Sequence, residues 1–347
     1  MKKIFATVLV LLVLVSCVGT ADAAKKWRIA LSNDYAGNSW RQTMLRDFEA
    51  AVKVAQEKGL IEEARVFTTN ESSAAEQAAQ LQNLILEGYD AIVLDAASPT
   101  ALNAAVKKAV DAGIIVISFD NAITEESAYR IFTDFYYDGK YQTEFVASKF
   151  PNGANLLEIR GLPGTFVDET IHKGIVDVVA ANPKLKIVGE VYGNWTGSVA
   201  QKEVAGILPS LPEIQAVVTQ GGDGYGALKA FEAAGRPIPL IIMGHRYDEL
   251  EAWKELLAKD PKYDTISISI SPSLVQVAFW LALEVLNGTD VPKVINVPPL
   301  TILKDRLDEF LSKTEKGGVA SVYYPQAWVQ ELIANVKAGK PAPADPR

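Results

Sequence analysis

Carboxylates, amides, guanidinium groups and indoles recur in this chain at one kind of place, just after a short apolar run. Asn33, Asn38, Trp40 and Arg41 follow Trp27–Ser32, and Asp95 follows Ala91–Leu94. Asp120 and Asn121 follow Ile114–Phe119, and Asp168 and Glu169 come soon after Ala154–Ile159. Trp195 follows Ile187–Val191, Gln220 and Asp223 follow Ala216–Thr219, and His245 and Arg246 follow Leu240–Met243. This mixture suits a polyhydroxylated ligand. A carboxylate accepts from two hydroxyls, an amide donates and accepts, and Arg donates in a fixed fork. An indole covers the apolar C–H face of a sugar ring.

Other chemistries are poorly supplied. Cys17 is the only cysteine, so no disulfide, thiol nucleophile or Cys-based metal site is expected. His172 and His245 are the only imidazoles. A histidine-rich metal site is therefore excluded, a His-dependent hydrolase is a narrow target, and neither a metal nor a cofactor is expected. His172 falls inside a helical pattern and reads as a surface residue. Gly221–Gly226 follows a strand and opens a helix, but its spacing does not match the dinucleotide fingerprint. Its glycines are better suited to letting backbone approach a ligand.

The elements that must position these residues alternate. Each apolar run of strand length is followed by a polar tip and then a stretch with apolar residues at helical spacing, such as Met44, Leu45, Phe48, Val52 and Ala55. Further helices are expected at 73–87, 99–112, 137–150, 166–181, 198–208, 225–234, 250–258 and 273–286, with strands at 65–68 and 265–271 besides those named. Val294–Leu303 reads as one late strand. Two more helical segments follow in the tail, and the Pro-rich residues 338–347 are expected to fray. Repeated strand and helix imply an α/β fold with parallel sheets covered on both faces. In such sheets ligands bind at the carboxyl ends of the strands, where the tips lie.

The chain has 347 residues, 49% hydrophobic and 22% charged, an ordinary globular balance at a length that suggests two domains. A net charge of −8 leaves no basic face for a nucleic acid. Lys2 and Lys3 precede an apolar run from Ile4 to Val15, shorter than the ~20 residues a membrane span needs. Ala21-Asp22-Ala23 fits export cleavage before Ala24, making 1–23 a signal peptide. Leu14-Val15-Ser16-Cys17 also resembles a lipobox, which would remove 1–16 and anchor the chain through lipid on Cys17.

Several of these segments carry a family likeness. They are Asn38-Ser39-Trp40-Arg41, Val116-Ile117-Ser118-Phe119-Asp120, Glu158-Ile159-Arg160-Gly161-Leu162-Pro163-Gly164-Thr165 and Ala216-Val217-Val218-Thr219-Gln220 with Gly226-Ala227-Leu228. In this order, behind an export signal, the chain resembles the type I periplasmic sugar-binding proteins of ABC transporters, the ribose-binding group in particular. The resemblance implies two Rossmann-like domains with parallel sheets, joined by a three-crossing hinge near 133–134, 271–272 and 297–303. It places 27–133 plus 272–297 in an N-terminal lobe and 134–271 plus 303–337, with the tail helices, in a C-terminal lobe. Ligand would sit in the cleft between them.

The resemblance also assigns roles. Asn38 and Trp40 fall on a ligand-bonding amide and a stacking aromatic, Asp120 on the key carboxylate, and Trp195 on the stacking aromatic of the second domain. Other positions depart. Asp168-Glu169 stand where the family is basic, Gly221-Gly222-Asp223 replace Asn-Asp, Gly244-His245-Arg246 exchange an acid for a base, and Ile270-Ser271 replace a Gln. A sugar, sugar alcohol or related polyol bound otherwise than ribose is implied. Arg246 is expected to pair with Asp168, Glu169 or Asp223.

The implied function is that of a monomeric receptor for an importer, with the sugar and an inner-membrane ABC permease as partners, and no catalysis. A receptor of the same fold feeding a chemoreceptor or sensor kinase is the alternative. An exported glycoside-active enzyme would need two carboxylates about 5–9 Å apart across the scissile bond.

Overall fold

The computed structural model describes residues 26–70 and 73–346. Both cleavage patterns lie outside the described residues.

The first run of elements is β1 (Trp27–Asn33), α1 (Ser39–Glu57), β2 (Ile61–Thr68), α2 (Ala74–Leu86), β3 (Ala91–Asp95), α3 (Asn103–Asp111), β4 (Ile115–Phe119) and β5 (Tyr129–Thr133). The second is α4 (Phe135–Lys149), β6 (Ala154–Arg160), α5 (Phe166–Ala181), β7 (Leu185–Tyr192), α6 (Gly197–Ile207), β8 (Ala216–Val218), α7 (Gly224–Ala233), β9 (Leu240–Ile241), α8 (Tyr247–Lys259) and β10 (Ser267–Ser269). Then come α9 (Leu274–Leu286), β11 (Val294–Val297), β12 (Leu300–Ile302), α10 (Leu307–Lys313) and α11 (Gln326–Lys337).

A six-stranded parallel sheet runs β11-β5-β4-β3-β1-β2, and a four-stranded parallel sheet runs β7-β6-β8-β9. Each has helices on both faces, so its central strands are largely buried; β3 is buried at every residue. In the first sheet β1 pairs with β2 on one side and β3 on the other, so the strand order reverses there. The carboxyl ends beside that reversal open a crevice. In the second sheet β6 is flanked by β7 and β8 in the same way.

Helix α9 explains how the lobes are tied. It is buried at every residue from Leu274 to Glu284, as a helix apolar on all sides must be. It packs on β3, β4, α1 and α11. Phe279 meets Phe48 of α1 edge-on, with ring centroids 5.6 Å apart. The chain thus leaves the first sheet after β5, returns from β10 into α9, and leaves again between β11 and β12. Strands β10 and β12 pair antiparallel outside the two main sheets.

The structure differs from the sequence reading at several elements. Strand β2 begins at Ile61 rather than Arg65; it is an edge strand, where Glu62 and Glu63 can face water. Strand β5 was not expected, because its polar and aromatic residues gain their place only by pairing between β4 and β11. The helix expected from Pro99 starts at Asn103, and Ser98 caps a preceding turn by accepting from Ala101 N at 3.2 Å. Val294–Leu303 is two strands in different sheets. Pro298 and Pro299 lack the N–H that would continue the ladder, and the chain changes sheets there.

The tail also departs. Helix α10 packs on α8 of the second lobe, but α11 packs on α9 of the first, so 303–337 does not belong to one lobe. The connecting loop passes from one set of partners to the other. Tyr247 N donates to Gly318 O and Ala320 N to His245 O. Val322 N then donates to Ser273 Oγ, and Tyr324 N to Gln276 Oε1. This is a fourth crossing between the lobes. Residues 338–347 were expected to fray, yet Trp328 Nε1 donates to Ala344 O at 2.8 Å and Tyr324 OH to Asp345 at 3.3 Å. Largely buried indole and phenol groups need such partners, and the chain end supplies them.

Candidate functional site

Between the carboxyl ends of the two sheets lies a cavity of about 300 Å3, lined by Asn38, Trp40, Arg41, Asp120, Asn121, Val167, Trp195, Gln220, Gly221, Gly222, His245, Arg246, Ser269, Ile270 and Val319. That is the lower end of the size range of small-molecule sites.

On the first wall, Asn38 caps α1, its Oδ1 accepting from Arg41 N at 2.8 Å. What remains for a ligand is its amide N–H pair. Trp40 donates its indole N–H to Ile270 O at 3.2 Å, which fixes the ring while leaving a face available. Arg41 is buried and holds three carboxylates: Asp95 in close contact, Asp34 at 3.2 Å and Asp120 at 3.3 Å. The guanidinium is what permits so many acids at one crevice. Burial raises the pKa of Asp120, Arg41 opposes the shift, and Asp34 adds to it.

Asp120 also has φ of 55°, a left-handed conformation unusual outside glycine. The other non-glycine residues of this kind among those described are Asn194 and Trp195. Asp120 and Trp195 both line the cavity, and local strain of this sort collects at functional sites. Two expected residues of the first wall do not reach the cavity. Asn33 is buried and donates to Tyr35 O at 2.7 Å and Thr68 Oγ1 at 3.3 Å, and Asp95 lies fully buried behind Arg41.

The second wall is built around Arg160, a residue the sequence reading did not select. It holds Asp168 through Nε at 3.1 Å and Nη2 at 2.6 Å, and Glu169 at 2.8 Å. Asp168 also accepts from Gly161 N at 3.0 Å and from Gln220 Nε2 at 2.9 Å. Neither Asp168 nor Glu169 lines the cavity, and neither pairs with Arg246; the strand-end guanidinium is nearer and claims both. Gln220 lines the cavity with its amide committed to this network. Gly161 lies under Trp195, where a Cβ would meet the indole at 2.4 Å, so only glycine lets the ring lie there.

Arg246 donates to Trp195 O at 2.9 Å and makes no ion pair among the described residues. It runs across Gly222, at φ 79°, where a Cβ would meet Arg246 Nε at 2.6 Å. Asp223 is buried at the start of α7 and does not reach the cavity either. Burial pushes its pKa well up, with Glu249 adding to the shift and Arg246 opposing it.

Residues 29–290, most of the chain, match the periplasmic binding protein domain family. The chain belongs to that family. It is 25% identical to the ribose import binding protein of Bacillus subtilis (strain 168) over 277 residues, covering 79% of this chain and 86% of that one. It is 28% identical to the xylitol-binding protein of Mycolicibacterium smegmatis over 251 residues, 70% of this chain and 69% of the relative. A crystal structure of an ABC transporter solute binding protein from Thermobispora bispora superposes with a TM-score of 0.78 at 34% identity, covering 92% of this chain and 99% of that one. The fold is therefore the two-lobed α/β architecture of periplasmic binding proteins, a family of binding proteins rather than enzymes.

In this periplasmic binding protein, His245 bonds to the antiparallel pair β10 and β12 as well as lining the cavity. Its Nδ1 lies 2.6 Å from Ser267 Oγ on β10, and its Nε2 donates to Leu300 O on β12 at 3.0 Å. Burial holds the imidazole neutral, lowering its pKa from 6.5 to about 4, against the raising effect of the backbone partners. The folded state thus refuses a proton that the unfolded chain accepts. Its stabilisation is complete above pH 6.5 and is lost as the pH falls to about 4, a change of about 3 kcal/mol. Urea unfolding of the wild type and His245→Asn at neutral and acid pH checks this. The wild type should lose about 3 kcal/mol more than the variant on acidification.

Val167, Gly221, Gly222, Ser269, Ile270 and Val319 line the cavity without having been selected as site residues. From sequence, Gly221 and Gly222 read as places for close backbone approach and as a departure from the family's Asn-Asp, and Ile270 as a departure at the hinge. Val319 had no signal in the sequence. It arrives on the fourth crossing through a bridge to Arg246.

Proposed function

We propose that this chain is the substrate-binding protein of an ABC-type importer, closing its two lobes on a neutral monosaccharide, sugar alcohol or related polyol. The observation that carries this reading is the cavity itself: two indoles, Trp40 and Trp195, with Asp120 among the polar groups between them. Family membership supports it, as do relatives named for ribose and xylitol.

The protein does no chemistry. Ligand touching both lobes stabilises the closed form, and the closed form is what an inner-membrane permease engages. The shift cannot exceed the difference in ligand affinity between closed and open states. Export behind the N-terminal signal would place the chain where such a receptor works. Asn38, Trp40, Asp120, Asn121, Trp195 and Arg246 are assigned to direct ligand contact. Arg41 holds Asp120 in position, and Asp168, Glu169 and Gln220 form the network around Arg160 and Gly161 behind the second wall.

A thermal-shift screen over pentoses, hexoses and alditols, followed by small-angle scattering, tests the proposal. At least one of them should raise the melting temperature and reduce the radius of gyration. If none does either, the reading fails. For the ligand so found, Trp195→Ala should weaken binding by about 2 kcal/mol, roughly 30-fold, since buried indoles act as anchors in such contacts.

A further inference from the structure

Away from the cleft, the second sheet carries an unusual row of charge. Glu158 on β6 and Glu190 on β7 are register partners on neighbouring parallel strands, so their side chains lie side by side on one face. Helix α5 covers that face and brings His172 down on them, with Nδ1 2.8 Å from Glu158 Oε1. Glu158 is fully buried, and its other oxygen, Oε2, has no hydrogen-bond partner. A buried carboxylate oxygen without a donor is costly and asks for a proton or a cation.

The neighbouring positive charge does not supply it. Arg160 approaches Glu190 only at 3.5 Å, while its stronger contacts go to Asp168 at 2.6 Å and Glu169 at 2.8 Å. Four carboxylates therefore surround one guanidinium and one imidazole. One ligand atom from each of Glu158, His172 and Glu190 lies within 4.8 Å of the others. Ligand atoms around a tetrahedral zinc stand roughly 3.3 Å apart, so a modest rotation of the half-exposed Glu190 side chain would bring the set together. His172 and Glu190 are 23% and 39% exposed, which leaves a path for an ion to enter.

We propose that Glu158, His172 and Glu190 bind one divalent transition-metal ion on the flank of the second lobe, separate from the cleft cavity. An imidazole with two carboxylates matches Zn2+, Co2+ or Mn2+ and is a poor match for Ca2+, which takes oxygen ligands only. Three protein ligands leave one or more positions for water. The histidine inside a helix, read from sequence as a surface residue, becomes the nitrogen donor because the sheet places two acids beneath it.

The two-histidine composition makes the test specific. The chain is purified without a polyhistidine tag, stripped with chelator and titrated with Co2+ while the imidazole resonances of His172 and His245 are followed by NMR. The expected result is 1:1 binding with visible cobalt ligand-field bands, a paramagnetically shifted His172 and a much less perturbed His245, Zn2+ in competition and Ca2+ without effect. His172→Gln and Glu190→Gln, both at part-exposed positions, should each weaken Co2+ binding at least ~10-fold while leaving the circular dichroism spectrum unchanged. If His172 does not shift, or if the variants bind Co2+ as the wild type does, the ion is adventitious only and the proposal is overturned.

Discussion

Arg41→Leu should destabilise the protein by about 3–5 kcal/mol at neutral pH and abolish sugar binding. Its guanidinium holds Asp34, Asp95 and Asp120 at the carboxyl ends of β1, β3 and β4. Removing one partner of a buried ion pair leaves uncompensated charge, and here one substitution takes the guanidinium from three carboxylates. Leucine keeps much of the apolar volume, so the loss reports charge rather than packing. The pH dependence separates this account from a packing defect. Without the guanidinium, the buried carboxylates are relieved only by taking up protons. Folding of the variant then binds protons, and its deficit relative to wild type should shrink as the pH is lowered. Urea unfolding of both proteins at a series of pH values measures this, and a deficit constant with pH would overturn it.

Asp120→Asn should leave the fold nearly intact yet lower affinity for the cognate sugar by about 1.5–3 kcal/mol, or ~10- to 150-fold. The side chains are close in shape, and asparagine tolerates the left-handed backbone at φ 55°. The change lies in what can be accepted. A carboxylate accepts from two hydroxyls, whereas an amide turns one acceptor into a donor facing a hydroxyl oxygen. Because burial raises the pKa of Asp120, wild-type affinity should also fall on acidification earlier than an ordinary aspartate would allow. Only the ionised form accepts from both hydroxyls, so binding weakens as the pH falls through that raised value. Calorimetry on both proteins across pH measures the effect, and Asp120→Asn should lose the wild-type pH dependence. Equal affinity in wild type and variant would remove Asp120 from the site.

Under the proposed function, the two substitutions divide the first wall into a group that holds and a group that binds. That division is absent from the sequence, where Arg41 and Asp120 are both polar residues at strand tips. A tip residue can face the crevice or turn back to satisfy a neighbour, and the choice depends on charges brought near by other strands. Asp168 and Glu169 are the clearest case. They lie close to Arg160 in sequence, yet the sequence alone did not set that guanidinium against Arg246 as their partner. The side chain of Arg160, at the end of a central strand, is directed under α5, and it claims both acids before Arg246 can reach them.

The amino-acid sequence by itself determined the alternation of buried strands and amphipathic helices, because that follows from local apolar spacing. It determined with it that the polar tips would gather at the carboxyl ends of parallel sheets. Asn38, Trp40, Asp120 and Trp195 were legible for that reason, each directly following or closely adjoining an apolar run. Tertiary structure alone decided the rest. Strand β5 and the split at Pro298-Pro299 depend on which strands pair. Val319 reaches the cavity only because the tail crosses back between the lobes. Glu158, His172 and Glu190 become one cluster only where two strands and a helix converge. Spacing along a chain fixes which face a residue takes, and only packing between elements fixes what that face meets.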